Sequence, residues 1–288
     1  MLGLYDKKGG LYIASHDPTG SVKTISTITD EEKVSFQFNW PTPNMGLDDN
    51  GYKLPGKVVL GSIKGDWYQA AMIYQAWVKE QAPWWPPAPN NRPSRIQDIA
   101  IWVQHETGGD LATLVQEVLE FAKFMRVPIG FHWYVWHKIP FDNDYPHFFP
   151  AKEGFIKAVR DLEDAGVRVM PYINGRLWDA DLDDFKTEGI KAVTKNEKGE
   201  PYIEDYGNGV RNAVMNPVTQ IWQNKIKEIV LRLQKKSGTS GVYLDQISAA
   251  SPKLCMDTTH GHPLGGGSWW LDQGYYKLLS AIRDEMPE

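Results

Sequence analysis

From residue 98 onward the chain repeats one unit: a short apolar run, a cluster of polar and aromatic residues, then an amphipathic helix. The apolar runs fall at residues 99–103, 129–135, 167–173 and 241–244, and helical spacing fills residues 111–125, 154–165, 218–235 and 269–286. Continuous apolar runs suit strands covered on both faces, as parallel strands are. Short joints such as Arg126-Val127-Pro128 and Ala165-Gly166-Val167 return each helix to the next strand. Four βα units in series leave two architectures, an open doubly wound sheet or part of a (β/α)8 barrel.

The polar clusters separate the two. They follow the strands: Gln104-His105-Glu106, then His132-Trp133-Tyr134, then Asn174-Gly175-Arg176-Leu177-Trp178-Asp179, then Asp245-Gln246. Barrel enzymes build their sites from the C-terminal ends of several strands. A dinucleotide-binding sheet needs a Gly-rich turn after its first strand, and Gly108-Gly109 is too sparse for that fingerprint. The expectation is an α/β chain whose residues 98–288 form a partial (β/α)8 (TIM) barrel of about four βα units. A full barrel takes about 250 residues, so these units would be its first half, with exposed strand edges that favour self-association.

Ahead of them, residues 1–65 alternate apolar and polar positions between turn sequences such as Asp17-Pro18-Thr19-Gly20 and Asp48-Asp49-Asn50-Gly51. That pattern predicts a small antiparallel β piece, the end of a β-sandwich. Residues 66–97 read as a helix capped by Asp66 and then a stiff linker, Ala82-Pro83-Trp84-Trp85-Pro86-Pro87-Ala88-Pro89.

Composition narrows the partners. The formal net charge is −5 and the basic residues are scattered, which predicts no nucleic-acid surface. No apolar stretch reaches the ~18 residues of a membrane span, and Met1–Gly10 lacks the apolar core of a secretory signal; the compartment stays unassigned. One cysteine, Cys255, excludes an internal disulfide and a Cys-rich zinc site. The 12 tryptophans, 13 tyrosines and 10 phenylalanines suit ring stacking on sugars as well as ordinary packing.

Asp245, directly after the last buried strand, is the sharpest candidate for catalysis, with Asp179 as a second acid. Asn174, Arg176 and Gln246 offer fixed donors for sugar hydroxyls or for a carboxylate. His132 and Trp133 at the second strand, and Trp178 after the third, suit a sugar subsite. In His260-Gly261-His262-Pro263-Leu264-Gly265-Gly266-Gly267-Ser268-Trp269 the glycines permit close backbone approach, Trp269 could stack on a ring, and His260 and His262 are expected to hydrogen-bond. His260 and His262 could ligate a metal together with Asp257 or Cys255, but His-Gly-His on a loop lacks a third ligand at helical spacing, so hydrogen bonding is the expected role and no metal and no cofactor is expected. The run 179–184 lacks the glycine and terminal Glu of a calcium loop. No Gly-x-Ser-x-Gly elbow occurs.

The Asp66-Trp67-Tyr68 helix, Met170-Pro171-Tyr172-Ile173-Asn174-Gly175-Arg176, Lys198-Gly199-Glu200-Pro201-Tyr202, Met215-Asn216-Pro217 and Gly241-Val242-Tyr243-Leu244-Asp245 together resemble a glycoside-hydrolase barrel family of largely uncharacterised members. More distantly the chain is similar to the α-galactosidase and endo-α-N-acetylgalactosaminidase families. The resemblance implies hydrolysis of a glycosidic bond in a carbohydrate substrate, with Asp245 as nucleophile. It implies a general acid from a later strand, for which Asp179, Asp205 and Glu106 are the stand-ins here. A carbohydrate-binding module without catalysis and a barrel enzyme of metal-dependent chemistry are the alternatives.

Overall fold

The structure, a computed structural model, describes residues 1–30, 33–85, 94–106 and 110–286. The chain divides into two compact units: Met1–Asn91 with Pro263–Asp272, and Arg92–His262 with Gln273–Glu288. Among the described residues no helix is long and apolar enough to cross a membrane.

In the first unit, β1 (Leu2–Asp6), β2 (Gly9–His16) and β5 (Lys57–Ile63) form an antiparallel sheet in the order β1-β2-β5, and β3 (Thr24–Thr29) pairs with β4 (Val34–Asn39) as a hairpin. The Asp6 carboxylate accepts the backbone N–H groups of Lys8 and Gly9 and closes the first turn. Helix α1 (Trp67–Gln81) is capped by Asp66, whose Oδ1 accepts the Tyr68 N–H at 2.9 Å. It ends where Pro83 drives Ala82 into the extended region, φ −92° and ψ 117°. Tyr12, Ala14, Ile63 and Ala70 form the core between sheet and helix. Residues 86–89 of the expected linker, like Gly108-Gly109, lie outside the described residues.

The glycine run 265–267 belongs to this unit and approaches protein backbone. A Cβ on Gly266 would lie 1.8 Å from the Pro41 carbonyl oxygen, and Gly265 bridges Pro43. Only glycine permits that contact.

In the second unit, β6 (Ile101–Val103), β7 (Ile129–Trp133), β8 (Arg168–Asn174) and β12 (Tyr243–Asp245) form one sheet in the order β12-β8-β7-β6. All three pairings are parallel, with Ile101 opposite Ile129, Gly130 opposite Arg168 and Asp245 opposite Asn174. A short helix α2 (Ser94–Gln97) precedes β6; helices α3 (Leu111–Met125), α4 (Phe155–Asp164) and α6 (Gln220–Ser237) follow the first three strands, and α7 (Tyr276–Glu285), led in by a π-helical turn at Trp270–Tyr275, follows the fourth. The curled sheet is half of a (β/α)8 barrel. Phe131, Val169 and Ile173 lie on the face that carries Trp133, whose ring packs on Phe155 of α4, and are fully buried.

Helix ends are specified locally. Asp110 caps α3 through the Thr113 N–H at 2.7 Å, and Arg126 closes it in the left-handed region at φ +55° ahead of Pro128. Between β8 and β12 the chain builds what the sequence pattern does not predict, an antiparallel sheet of β9 (Leu177–Asp179), β10 (Ile203–Glu204) and β11 (Asn212–Val214) in the order β10-β11-β9. A short helix α5 (Asp183–Thr187) lies within the same insertion. Strands of two or three residues carry too little alternation to stand out as a period of two.

Candidate active site

Side chains alternate across a strand, so one face of the curled sheet collects His132 from β7, Tyr172 and Asn174 from β8, and Tyr243 and Asp245 from β12. Their contacts bear this out. The His132 ring lies 4.3 Å from that of Tyr243 and 4.5 Å from that of Tyr134, and Tyr134 stacks on Tyr172 at 4.8 Å. Phe141 lies 5.2 Å from Tyr172 and 5.8 Å from Tyr134. The half-buried Asp245 thus stands at the strand ends among aromatic rings.

The hydroxyl of Tyr172 donates to Asp245 Oδ2 at 3.1 Å. Burial, with Tyr145 and Asp245 close by, holds the Tyr172 phenol far above its ordinary range, so it stays protonated and can only donate to the carboxylate. Burial pushes the His132 imidazole down, against the pull of the Asp245 charge, and keeps it neutral near pH 7. Its buried Nε2 has no hydrogen-bond partner among the described residues, and neither has the buried Nδ2 of Asn174. The other end of Asn174 is spent: Oδ1 accepts the N–H groups of Arg176 and Leu177, both at 2.9 Å.

A second carboxyl belongs to this surface. Asp142 sits on the loop after β7 at φ +58°, its N–H donating to the Tyr145 hydroxyl at 3.0 Å. Burial raises its pKa, the Tyr145 hydroxyl opposes the rise, and the charge of Asp245 adds to it. Asp142 is not among the acids that the sequence singles out, since nothing in the sequence places it near Asp245. Tyr172 was missed although its spacing of two from Asn174 puts both on one face.

The predicted site residues divide. Arg176 is buried (1 % exposed) and grips Glu204 with its two terminal guanidinium nitrogens, at 2.5 and 3.0 Å. It also reaches Gln246 Oε1 at 3.4 Å, which accepts the Tyr206 hydroxyl at 3.3 Å. Burial works against ionisation of Glu204, but Arg176, Tyr206 and Lys253 outweigh it and hold the carboxyl at about 2. Of the donors expected for a carboxylate, Arg176 is engaged by Glu204, and the observed donor to Asp245 is Tyr172.

Asp179 is 5 % exposed, and its two oxygens accept the backbone N–H groups of Asp181 at 3.0 Å and Asp144 at 3.3 Å, a turn-building role. Asp205 likewise caps Gly207 and Gly209. The tryptophans expected to line the cleft are packed instead. Trp133 lies between Phe131 and Phe155, and Trp178 is buried against Trp222 and Phe185. Trp269, in the first unit, donates to the Gly265 and Gly266 carbonyls. The aromatic wall near Asp245 is made of tyrosines. His260 and His262 are buried around Asn216 and Cys255.

Comparison with known proteins bears on the family and the fold. The family model described as a domain of unknown function (DUF6259) matches residues 52–288. A Bacteroides thetaiotaomicron protein named "Putative glycoside hydrolase" is 31 % identical over 286 residues, 98 % of this chain and 42 % of its own length. "Putative glycoside hydrolase 22789" of Monosiga brevicollis is 28 % identical over 324 residues, 99 % of this chain and 27 % of its own length. The chain therefore spans less than half of each of these curated relatives. The α-N-acetylgalactosaminidase NagBb of Bifidobacterium bifidum superposes with a TM-score of 0.70 at 12 % identity, over 99 % of this chain and 48 % of that one. The Thermus thermophilus α-galactosidase TtGalA gives 0.58 at 13 % identity, over 96 % of this chain and 48 % of that one. The expected relation to glycoside-hydrolase barrels stands, and the fold is that of half such a barrel.

Proposed function

The chain belongs to the DUF6259 family, and from that premise we propose that it carries the nucleophile of a glycoside-hydrolase site. The observation that carries the reading is Asp245: a carboxylate at the end of the fourth parallel strand, held by a phenol that cannot ionise and ringed by tyrosines. Carboxylates at the C-terminal rim of a barrel are where such enzymes place their chemistry.

In this reading Asp245 attacks the anomeric carbon, the bond to the leaving oxygen breaks, and a glycosyl ester forms that water then hydrolyses. The leaving oxygen needs a proton. Asp142, whose proton is held more tightly than an ordinary carboxyl's, supplies it in place of Asp179, whose oxygens are tied to backbone.

A panel of activated 2-fluoro glycosides tests the nucleophile. The expected result is a covalent sugar on the peptide containing Asp245, and Asp245→Asn should abolish turnover of dinitrophenyl glycosides while sugar binding persists. Asp142→Asn should slow a poor leaving group by about 10²–10⁴-fold and a dinitrophenyl group far less. A label on another residue would refute Asp245. Sugar binding without turnover in the wild-type chain would favour the binding-module reading.

A further inference from the structure

Apart from the strand-end site, the second unit holds a buried cluster of soft ligands. Cys255 Sγ, one ring nitrogen of His260 and one of His262 all lie within 4.8 Å of one another. The three residues are 0 %, 8 % and 8 % exposed. They come from a single short stretch, Cys-x4-His-x-His.

The hydrogen bonds fix which atoms point inward. His260 Nε2 is 3.1 Å from the Lys191 carbonyl, which can only accept, so the ring proton sits on Nε2 and Nδ1 turns a lone pair into the cluster. Asn216 Oδ1 accepts the Val218 N–H at 3.0 Å, which leaves Nδ2 to donate inward, to His260 Nδ1 at 3.0 Å and His262 Nε2 at 2.8 Å. Both imidazoles therefore present lone pairs. Cys255 Sγ is 3.4 Å from that same His260 Nδ1. One lone pair thus meets two donors, the Asn216 amide and the thiol, and can satisfy only one of them fully.

A cation removes the conflict. We propose that Cys255, His260 and His262 form a buried structural site for one thiophilic divalent ion of the zinc type, independent of the glycosidase reading. Zinc takes thiolate and neutral imidazole at about 2.3 Å and about 2.0–2.1 Å, in tetrahedral sites whose ligand atoms lie about 3.3–3.6 Å apart. The Sγ–Nδ1 separation of 3.4 Å already has that length. A second shell is also in place. His260 Nε2 faces the Lys191 carbonyl and lies 3.5 Å from Asp257 Oδ2, itself paired with Lys195 at 2.6 Å. On binding, the thiol gives its proton to solvent, sulfur bonds to the ion, and the two imidazole lone pairs pass from the Asn216 amide to the metal.

Cobalt titration of the metal-stripped wild-type chain reads this directly, because Cys255 is the only cysteine and any thiolate-to-cobalt charge transfer must arise from it. The expected result is one cobalt per chain with a near-ultraviolet charge-transfer band and tetrahedral visible bands. One proton should be released per ion, and zinc should displace the cobalt stoichiometrically. His262→Gln should weaken binding by at least tenfold, and Cys255→Ser should lose the charge-transfer band. Cobalt binding without a thiolate band or without proton release would overturn the site, as would no binding at all.

Discussion

Asp245 and Glu204 show how neighbouring donors assign different work to two carboxylates of one sheet-end surface. Asp245 accepts from the neutral hydroxyl of Tyr172, whereas Glu204 has Arg176, Tyr206 and Lys253. A guanidinium as buried as Arg176 needs a partner in place, since an unpaired buried charge is strongly destabilising. The pair has a pH signature. The Glu204 carboxyl is depressed from 4.5 to about 2 in the folded chain. Its contribution is fully present above the unfolded value and is lost as pH falls through the folded one. Wild type should therefore exceed Glu204→Gln in urea stability at pH 7, with the gap closing between about pH 4.5 and pH 2. A gap that is constant over that window would mean that Glu204 does not titrate as the structure requires.

At the scale of the element, one side chain ties the sheet together. Glu163, near the end of α4, accepts the Val169 N–H at 2.8 Å and the Ser240 N–H at 2.9 Å through Oε1. Its Oε2 takes the Ser240 hydroxyl at 2.8 Å and Arg168 at 3.0 Å. It thereby fixes the starts of β8 and of the segment leading into β12, the strands that carry Tyr172 and Asp245. Glu163→Ala takes the side-chain acceptor from the shielded Val169 N–H and leaves the Ser240 N–H with the Val169 carbonyl at 3.1 Å. We expect a loss of about 1–3 kcal/mol in denaturant unfolding at unchanged m-value, and less for Glu163→Gln. The four parallel strands and their helices were legible in the sequence because short continuous apolar runs alternate with stretches of helical spacing. The site was legible only along single strands. His132 and Trp133 are adjacent in β7 and so face opposite sides, which is why one meets Tyr243 and the other packs on Phe155. Pairing across strands, Tyr243 with Tyr172 and Asp245 with Asn174, is a register that no single-strand pattern contains.

For the molecule as a whole, the parallel sheet raises a question of edges. Among the described residues β6 pairs only with β7 and β12 only with β8, so each has one flank of backbone N–H and C=O groups outside the ladder. In a closed barrel every strand has two neighbours and no such flank exists. Apolar side chains accompany the β6 edge. Trp102 is 45 % exposed on β6 itself, and Phe121 and Phe124 are 39 % and 79 % exposed on α3. Open strand edges with exposed aromatic rings are a template for pairing with another chain. Expressed alone, these 288 residues should therefore sediment as a mixture whose average mass rises with concentration. Salt should strengthen the association, since burial of apolar surface would drive it and screening would not weaken it. Trp102→Lys with Phe124→Lys places charge on that edge and flank, and should return the chain to a monomer with an unchanged far-ultraviolet spectrum. A wild-type chain that sediments as a monomer over a hundredfold range of concentration would show that these edges are protected in solution.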